Sequence, residues 1–87
     1  MDEPFLLPID GVLDLHSIRP NEVRSVVEEY VSAAHEKGLR EIRVVHGRGK
    51  GVQRGIVQAA LERHTLVLEF WDDPASHLGA TIVTLAN

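Results

Sequence analysis

Apolar and polar residues alternate over Val12-Leu13-Asp14-Leu15-His16, the period of two expected of a half-buried strand. Leu13 and Leu15 then share one face, and Asp14 and His16 share the other. The period changes after Pro20. Val23, Val26, Val27, Tyr30, Val31 and Ala34 recur at helical spacing and predict a core helix over 20–37. Pro20 suits its first turn and Gly38 its end. Glu41–Val45, rich in β-branched residues, predicts a second strand. Residues 52–64 predict a second helix with Val52, Ile56, Val57, Ala60 and Leu61 inward. Thr65–Trp71 reads as a third strand, with Leu66, Leu68 and Phe70 toward the helices and Val67, Glu69 and Trp71 away from them. Asp72-Asp73-Pro74 breaks it, 75–79 loops round, and Ala80–Leu85 forms a last strand.

The order β-α-β-α-β-β predicts an α/β fold, a two-layer sandwich with a four-stranded mixed sheet and two helices on one face. Two strands joined through a helix by short loops pair in parallel. Both therefore end at the same sheet edge, where ligands of such sheets gather. His16 and His46 are expected on that rim, with Asp14 and His16 on the uncovered face. Residues 1–10 hold two prolines and no clear period. They are expected to form an extended arm pinned by Phe5, Leu6, Leu7 and Ile9, ahead of a domain spanning 11–87.

Between the second strand and the second helix stands His46-Gly47-Arg48-Gly49-Lys50-Gly51. A glycine-rich loop entering a helix offers backbone N–H groups and the positive end of the helix dipole to an oxyanion. Arg48 and Lys50 add charge there. Arg54, in the helix's first turn, opposes the dipole, a conflict that a bound anion would remove. The net charge of −4 argues against a general polycation. Yet five of the nine cations (Arg40, Arg43, Arg48, Lys50 and Arg54) fall within fifteen residues against the single acid Glu41. A basic edge on an acidic body predicts salt-sensitive affinity for the phosphate backbone of DNA or RNA. Binding is assigned to Gly47, Arg48, Gly49, Lys50, Gly51 and Arg54. Trp71 is a candidate for stacking on a base or for packing.

The loop is neither a Walker A, since no Gly-Lys-Ser/Thr follows at the required spacing, nor a dinucleotide fingerprint, since Val52 stands where a third glycine belongs. The absence of cysteine excludes disulfides and thiolate sites and fits a cytoplasmic setting. The acidic start lacks the plan of a signal peptide, and no apolar run approaches the ~20 residues of a membrane span. Catalysis is assigned to Asp14, His16 and His46. Imidazole, with a reference pKa of ~6.5, can move protons near neutrality. In RNA the 2′-OH is a built-in nucleophile: one imidazole would take its proton, the other would protonate the leaving oxygen, and Asp14 would orient His16. DNA would need an activated water and more readily a metal. Asp14, His16 and His46 could also form a two-His-one-carboxylate set, which leaves a divalent metal such as Mg or Mn open as a cofactor.

Leu13-Asp14-Leu15-His16, His46-Gly47-Arg48-Gly49 and Gly79-Ala80-Thr81-Ile82-Val83, in this order and spacing over about residues 11–86, resemble the Smr (small MutS-related) domain. The resemblance implies a fold similar to the C-terminal domain of translation initiation factor three. It also implies a nicking endonuclease, RNA cleavage or nucleic-acid binding, in repair, recombination or RNA processing. On the matching motifs it ties Asp14 and His16 to cleavage, and His46, Gly47, Arg48 and Gly49 to substrate binding and activity. Two positions depart from the family pattern: Ser17 stands where glycine is usual, and His77-Leu78 precede a single Gly79 where the approach is usually richer in glycine. The alternative to a nuclease is a non-catalytic nucleic-acid-binding module.

Overall fold

The computed structural model describes residues 8–49 and 51–87; Phe5, Leu6, Leu7 and Lys50 lie outside them. Six main elements follow one another: β1 (Val12–Asp14), α1 (Val23–Glu36), β2 (Glu41–Val45), α2 (Val52–Arg63), β3 (Val67–Asp72) and β4 (Ala80–Leu85). The sheet order is β1-β2-β4-β3, with β1 parallel to β2 and β4 antiparallel to both neighbours. The expected four-stranded mixed sheet is therefore present. Because β3 also runs with β1 and β2, the ends of those three strands and the β3–β4 turn share one rim.

β1 is shorter than its alternation. The Leu15 N–H still reaches the Val45 carbonyl at 2.9 Å, but the next N–H, that of His16, goes to the Asp14 carboxylate at 2.9 Å. That local bond competes with the ladder and ends the strand. A short 3-10 turn at Pro20–Glu22 precedes α1, so the predicted helix start divides in two. Its end is a Schellman motif: Gly38, at φ +90°, donates to the His35 carbonyl, and Leu39 donates to Ala34.

The core lies between the helices and one sheet face. Leu13, Leu15, Val27, Tyr30, Val31, Ile42, Val44, Val57, Leu61 and Val83 are almost fully buried there, each aliphatic side chain contributing about 1.5–3 kcal/mol by leaving water. Ile9 packs against this cluster. Tyr30 brings a hydroxyl into it, which accepts the Gly11 N–H at 3.0 Å. Burial pushes its phenol above the ordinary pKa.

Two inward assignments are corrected. Between Val67 and Glu69 the pairing with β4 slips from Leu85 to Thr84, so two β3 residues advance against one. This bulge turns Leu68 out to 66 % exposure, while Leu66, Val67 and Phe70 pack on the core. Strict alternation places Leu68 inside and Val67 outside, and the bulge reverses both. Val52 is also exposed, at 61 %. The first turn of α2 leaves Val52 in solvent, and the helix packs on the core from Ile56 onward.

Candidate functional site

Where β1 ends, Asp14 and His16 project from the same side of the sheet and touch. Asp14 Oδ1 lies 2.5 Å from His16 Nδ1 and also accepts the His16 N–H. Those two hydrogen bonds, the backbone one first, hold the Asp14 carboxyl below its usual range despite opposition from partial burial. A carboxylate can only accept, so Nδ1 carries the proton and neutral His16 has its lone pair on Nε2. That nitrogen lies 3.9 Å from where a Cβ on Gly47 would stand. Gly47 is required by its backbone, at φ +81°, rather than by lack of room.

The hollow between them has a volume of about 400 Å³ and is lined by His16, Gly47, Arg48, Gly49, Gly51 and Val52, with His46 beneath. Not every loop amide faces it. The N–H groups of His46 and Gly47 both go to the Gly79 carbonyl, and that of Gly51 goes to Arg48. The N–H groups of Arg48 and Gly49 have no protein acceptor among the described residues. Arg48 likewise has no ion-pair partner among them. Its side chain passes over Gly79, where a Cβ would come within 3.5 Å of Arg48 Cγ and 3.0 Å of the Ser76 carbonyl.

His46 occupies the same rim in a different state. It is 6 % exposed, with Nδ1 2.9 Å from the Gly47 carbonyl and Nε2 2.9 Å from Thr81 Oγ1. A carbonyl cannot donate, so Nδ1 bears the proton and neutral Nε2 accepts from Thr81. Thr81 in turn accepts from Gln58 Nε2 at 3.2 Å, and the same amide donates to Asp72 Oδ1 at 3.1 Å. Asp72 closes the chain with Arg54, whose Nε and Nη2 donate to its two oxygens at 2.8 and 2.7 Å. The Arg54 guanidinium, ahead of smaller effects, holds the Asp72 carboxyl below its usual range. Arg54 therefore has an acidic partner within the protein at the helix start, Asp72.

Thr81, Gln58 and Asp72 were absent from the sequence assignment. One signal was available: Thr81 shares the inward phase of Val83 and Leu85, and a hydroxyl at a core position needs a partner. Among the described residues no three His, Asp or Glu side chains assemble as metal ligands, so the Asp14/His16/His46 set does not form. A larger hollow of about 680 Å³ separates α1 from the end of α2 and contains Ser32 and His64. It is no nucleophile relay. The Leu66 N–H donates to His64 Nδ1, leaving the proton on Nε2, which faces the Glu28 carbonyl at 3.2 Å and cannot draw the proton of Ser32. Among the described residues no helix is long and apolar enough to cross a membrane.

Residues 13–86 match the family model described as Smr domain. The chain is 33 % identical over 81 residues to endonuclease MutS2 of Caldicellulosiruptor saccharolyticus and 36 % identical over 79 residues to endonuclease MutS2 of Lactococcus lactis. Those alignments take in 91 % and 88 % of this chain but only 10 % of each relative. Among solved structures, it resembles the Smr domain of Thermus thermophilus MutS2 with a TM-score of 0.83 and 30 % identity, covering 88 % of this chain and 99 % of that one. It also resembles YdaL, a stand-alone small MutS-related protein from Escherichia coli, with a TM-score of 0.82 and 25 % identity, covering 92 % and 67 %. With the fold, the ordered motifs and the family model in agreement over nearly its whole length, the chain belongs to the Smr domain family.

Proposed function

We propose that the chain binds the phosphate backbone of a nucleic acid at the glycine loop and cleaves a phosphodiester beside it, as a Smr-type endonuclease. The observation that carries this reading is His16, its Nδ1 held by Asp14 and its Nε2 turned toward Gly47. The amides of Arg48 and Gly49, which have no protein acceptor among the described residues, the start of α2 and the Arg48 guanidinium favour a phosphate in the hollow. His16 Nε2 then takes the proton of the 2′-OH as that oxygen bonds to phosphorus, Asp14 stabilises the imidazolium that forms, and the leaving 5′ oxygen takes its proton from water as its own bond to phosphorus breaks. His46 leaves the catalytic group and becomes a strut, fixing the Gly47 carbonyl and with it the loop. In the lining of the hollow one imidazole, His16, has an uncommitted nitrogen, and among the described residues no three-ligand set assembles; both favour RNA, whose 2′-OH supplies the nucleophile, over DNA.

The test is cleavage of structured RNA and of supercoiled DNA, each with and without EDTA. RNA cleavage that survives chelation and disappears in both Asp14→Ala and His16→Ala supports the assignment. Full activity in both variants would end it, and loss on chelation would transfer the chemistry to a metal. The second reading, a module that binds without turnover, draws on the same commitment of His46, since one expected proton carrier is already bonded at both nitrogens. It expects salt-dependent binding, weakened in Arg48→Ala, with no product from any substrate.

A further inference from the structure

The turn between β3 and β4 is braced on every side. Asp73 accepts the Ala75 N–H at 2.9 Å and Arg43 Nε at 2.8 Å. Ser76 Oγ donates to the Asp73 carbonyl at 2.7 Å and accepts the N–H groups of Gly79 and Ala80 at 3.1 and 3.0 Å. On this rigid base His77 and Leu78 both adopt left-handed backbone conformations, at φ +52° and +71°, which side chains beyond glycine rarely occupy. Leu78 gains no burial in return. It is 53 % exposed and does not belong to the core or to the residues packed on it.

Its position gives the strain a use. The next residue, Gly79, receives the His46 and Gly47 N–H groups and lies under Arg48, so the turn is tied directly to the glycine loop. Val52, also exposed, lines the hollow at the glycine loop from the start of α2, and Leu78 is joined to that loop through Gly79. An aliphatic side chain beside a phosphate site gains nothing from the phosphate or from water. The apolar surface that a nucleic acid can offer there is the face of a base, and that face is free only where the stack is open.

We infer that Leu78 is a wedge that presses on the face of a base next to the phosphate at the glycine loop, and so selects nucleic acid that is unstacked at that point. This rests on the proposed function above. A continuous duplex must be opened by Leu78, whereas an unpaired nucleotide already presents its face.

The experiment compares two RNA hairpins of one sequence, fully paired or carrying a single bulged nucleotide, with 2-aminopurine as the reporter of unstacking. Leu78→Ala and Leu78→Gly should weaken binding of the bulged hairpin about tenfold and of the paired one, where opening the stack offsets the gain from the wedge, less than about threefold. The wild-type chain should brighten 2-aminopurine in the paired hairpin, Leu78→Ala should not, and Leu78→Met should restore the signal. Leu78→Gly should not lower Tm, because glycine accepts the positive φ freely. A merely structural leucine would lower Tm or weaken both hairpins alike. Equal loss on both hairpins, or no loss on either, overturns the wedge and leaves the proposed function standing. A wild-type chain that binds neither RNA removes both.

Discussion

His16 and His46 end neighbouring parallel strands, yet the fold surrounds them in opposite ways. The His16 side chain is 67 % exposed, with one nitrogen held by Asp14 and the other turned to the hollow. His46 is buried, with both nitrogens bonded to the protein. The same residue type on the same rim is thus left with one uncommitted nitrogen, where we propose a proton carrier, in one case and is tied into the protein at both nitrogens in the other. What decides is the neighbour two residues away or across the sheet: Asp14 turns outward with His16, whereas Thr81 turns inward beneath His46. An imidazole beside a glycine loop therefore reveals its work only through the hydrogen bonds of both nitrogens.

The largest effect expected to test this contrast is on rate. Removing Asp14 or His16 should lower cleavage about 10²–10⁴-fold, the range of general acid–base groups. Because both side chains lie in solvent, Tm should barely move. His46→Ala should do the reverse in stability. It strips partners from the Gly47 carbonyl and Thr81 hydroxyl, which costs about 1–3 kcal/mol in a buried setting. Thermal melting of the three variants beside single-turnover cleavage rates would separate the roles. A His46→Ala protein of unchanged Tm would break the distinction.

Thr81→Val is the finer probe. The substitution keeps the shape of the side chain but leaves His46 Nε2 without a donor and removes one acceptor from Gln58. A stability loss of about 1–3 kcal/mol is expected, with binding weakened more than turnover, since the loop loosens while Asp14 and His16 stay intact. A change in kcat alone, with KM preserved, would instead make His46 a direct participant.

Much of this arrangement was legible in the chain. The switch from period two to helical spacing located every main element, because those periods mirror which side chains must leave water. Parallel pairing of β1 and β2 then brought His16 near the glycine loop. Three features were not legible, each for a physical reason. The bulge at Leu68 depends on how β3 meets β4, so local alternation misassigned Leu68 and Val67. Val52 has the spacing of a core residue but, as the first residue of α2, it lies exposed ahead of the turns that pack on the core. The partners of His46 and Arg54 are long-range: Thr81 and Asp72 follow them by 35 and 18 residues, and side-chain pairing at that separation leaves no periodic trace.

The smallest expected effect lies at the far end of the His46 chain. The folded state lowers the pKa of Asp72, chiefly through the hydrogen bonds from Arg54. Its contribution to stability is therefore present above the unfolded carboxylate value of ~3.9 and is lost as pH falls through the lower folded value. Asp72→Asn should lower Tm at neutral pH by less than about 5 °C, since both partners are about one-third exposed. The gap to wild type should begin to narrow below about pH 4 and close only as pH falls past the lowered folded value, where the wild-type carboxyl also becomes neutral. The glycine loop gives this measurement its reach. Asp72 shares Gln58 with Thr81, and Thr81 holds His46, so Asp72→Asn should weaken nucleic-acid binding slightly while leaving the Asp14–His16 contact untouched. Unchanged binding together with the expected acid response would confine the effect to an ordinary ion pair and cut Asp72 out of the brace beneath His46.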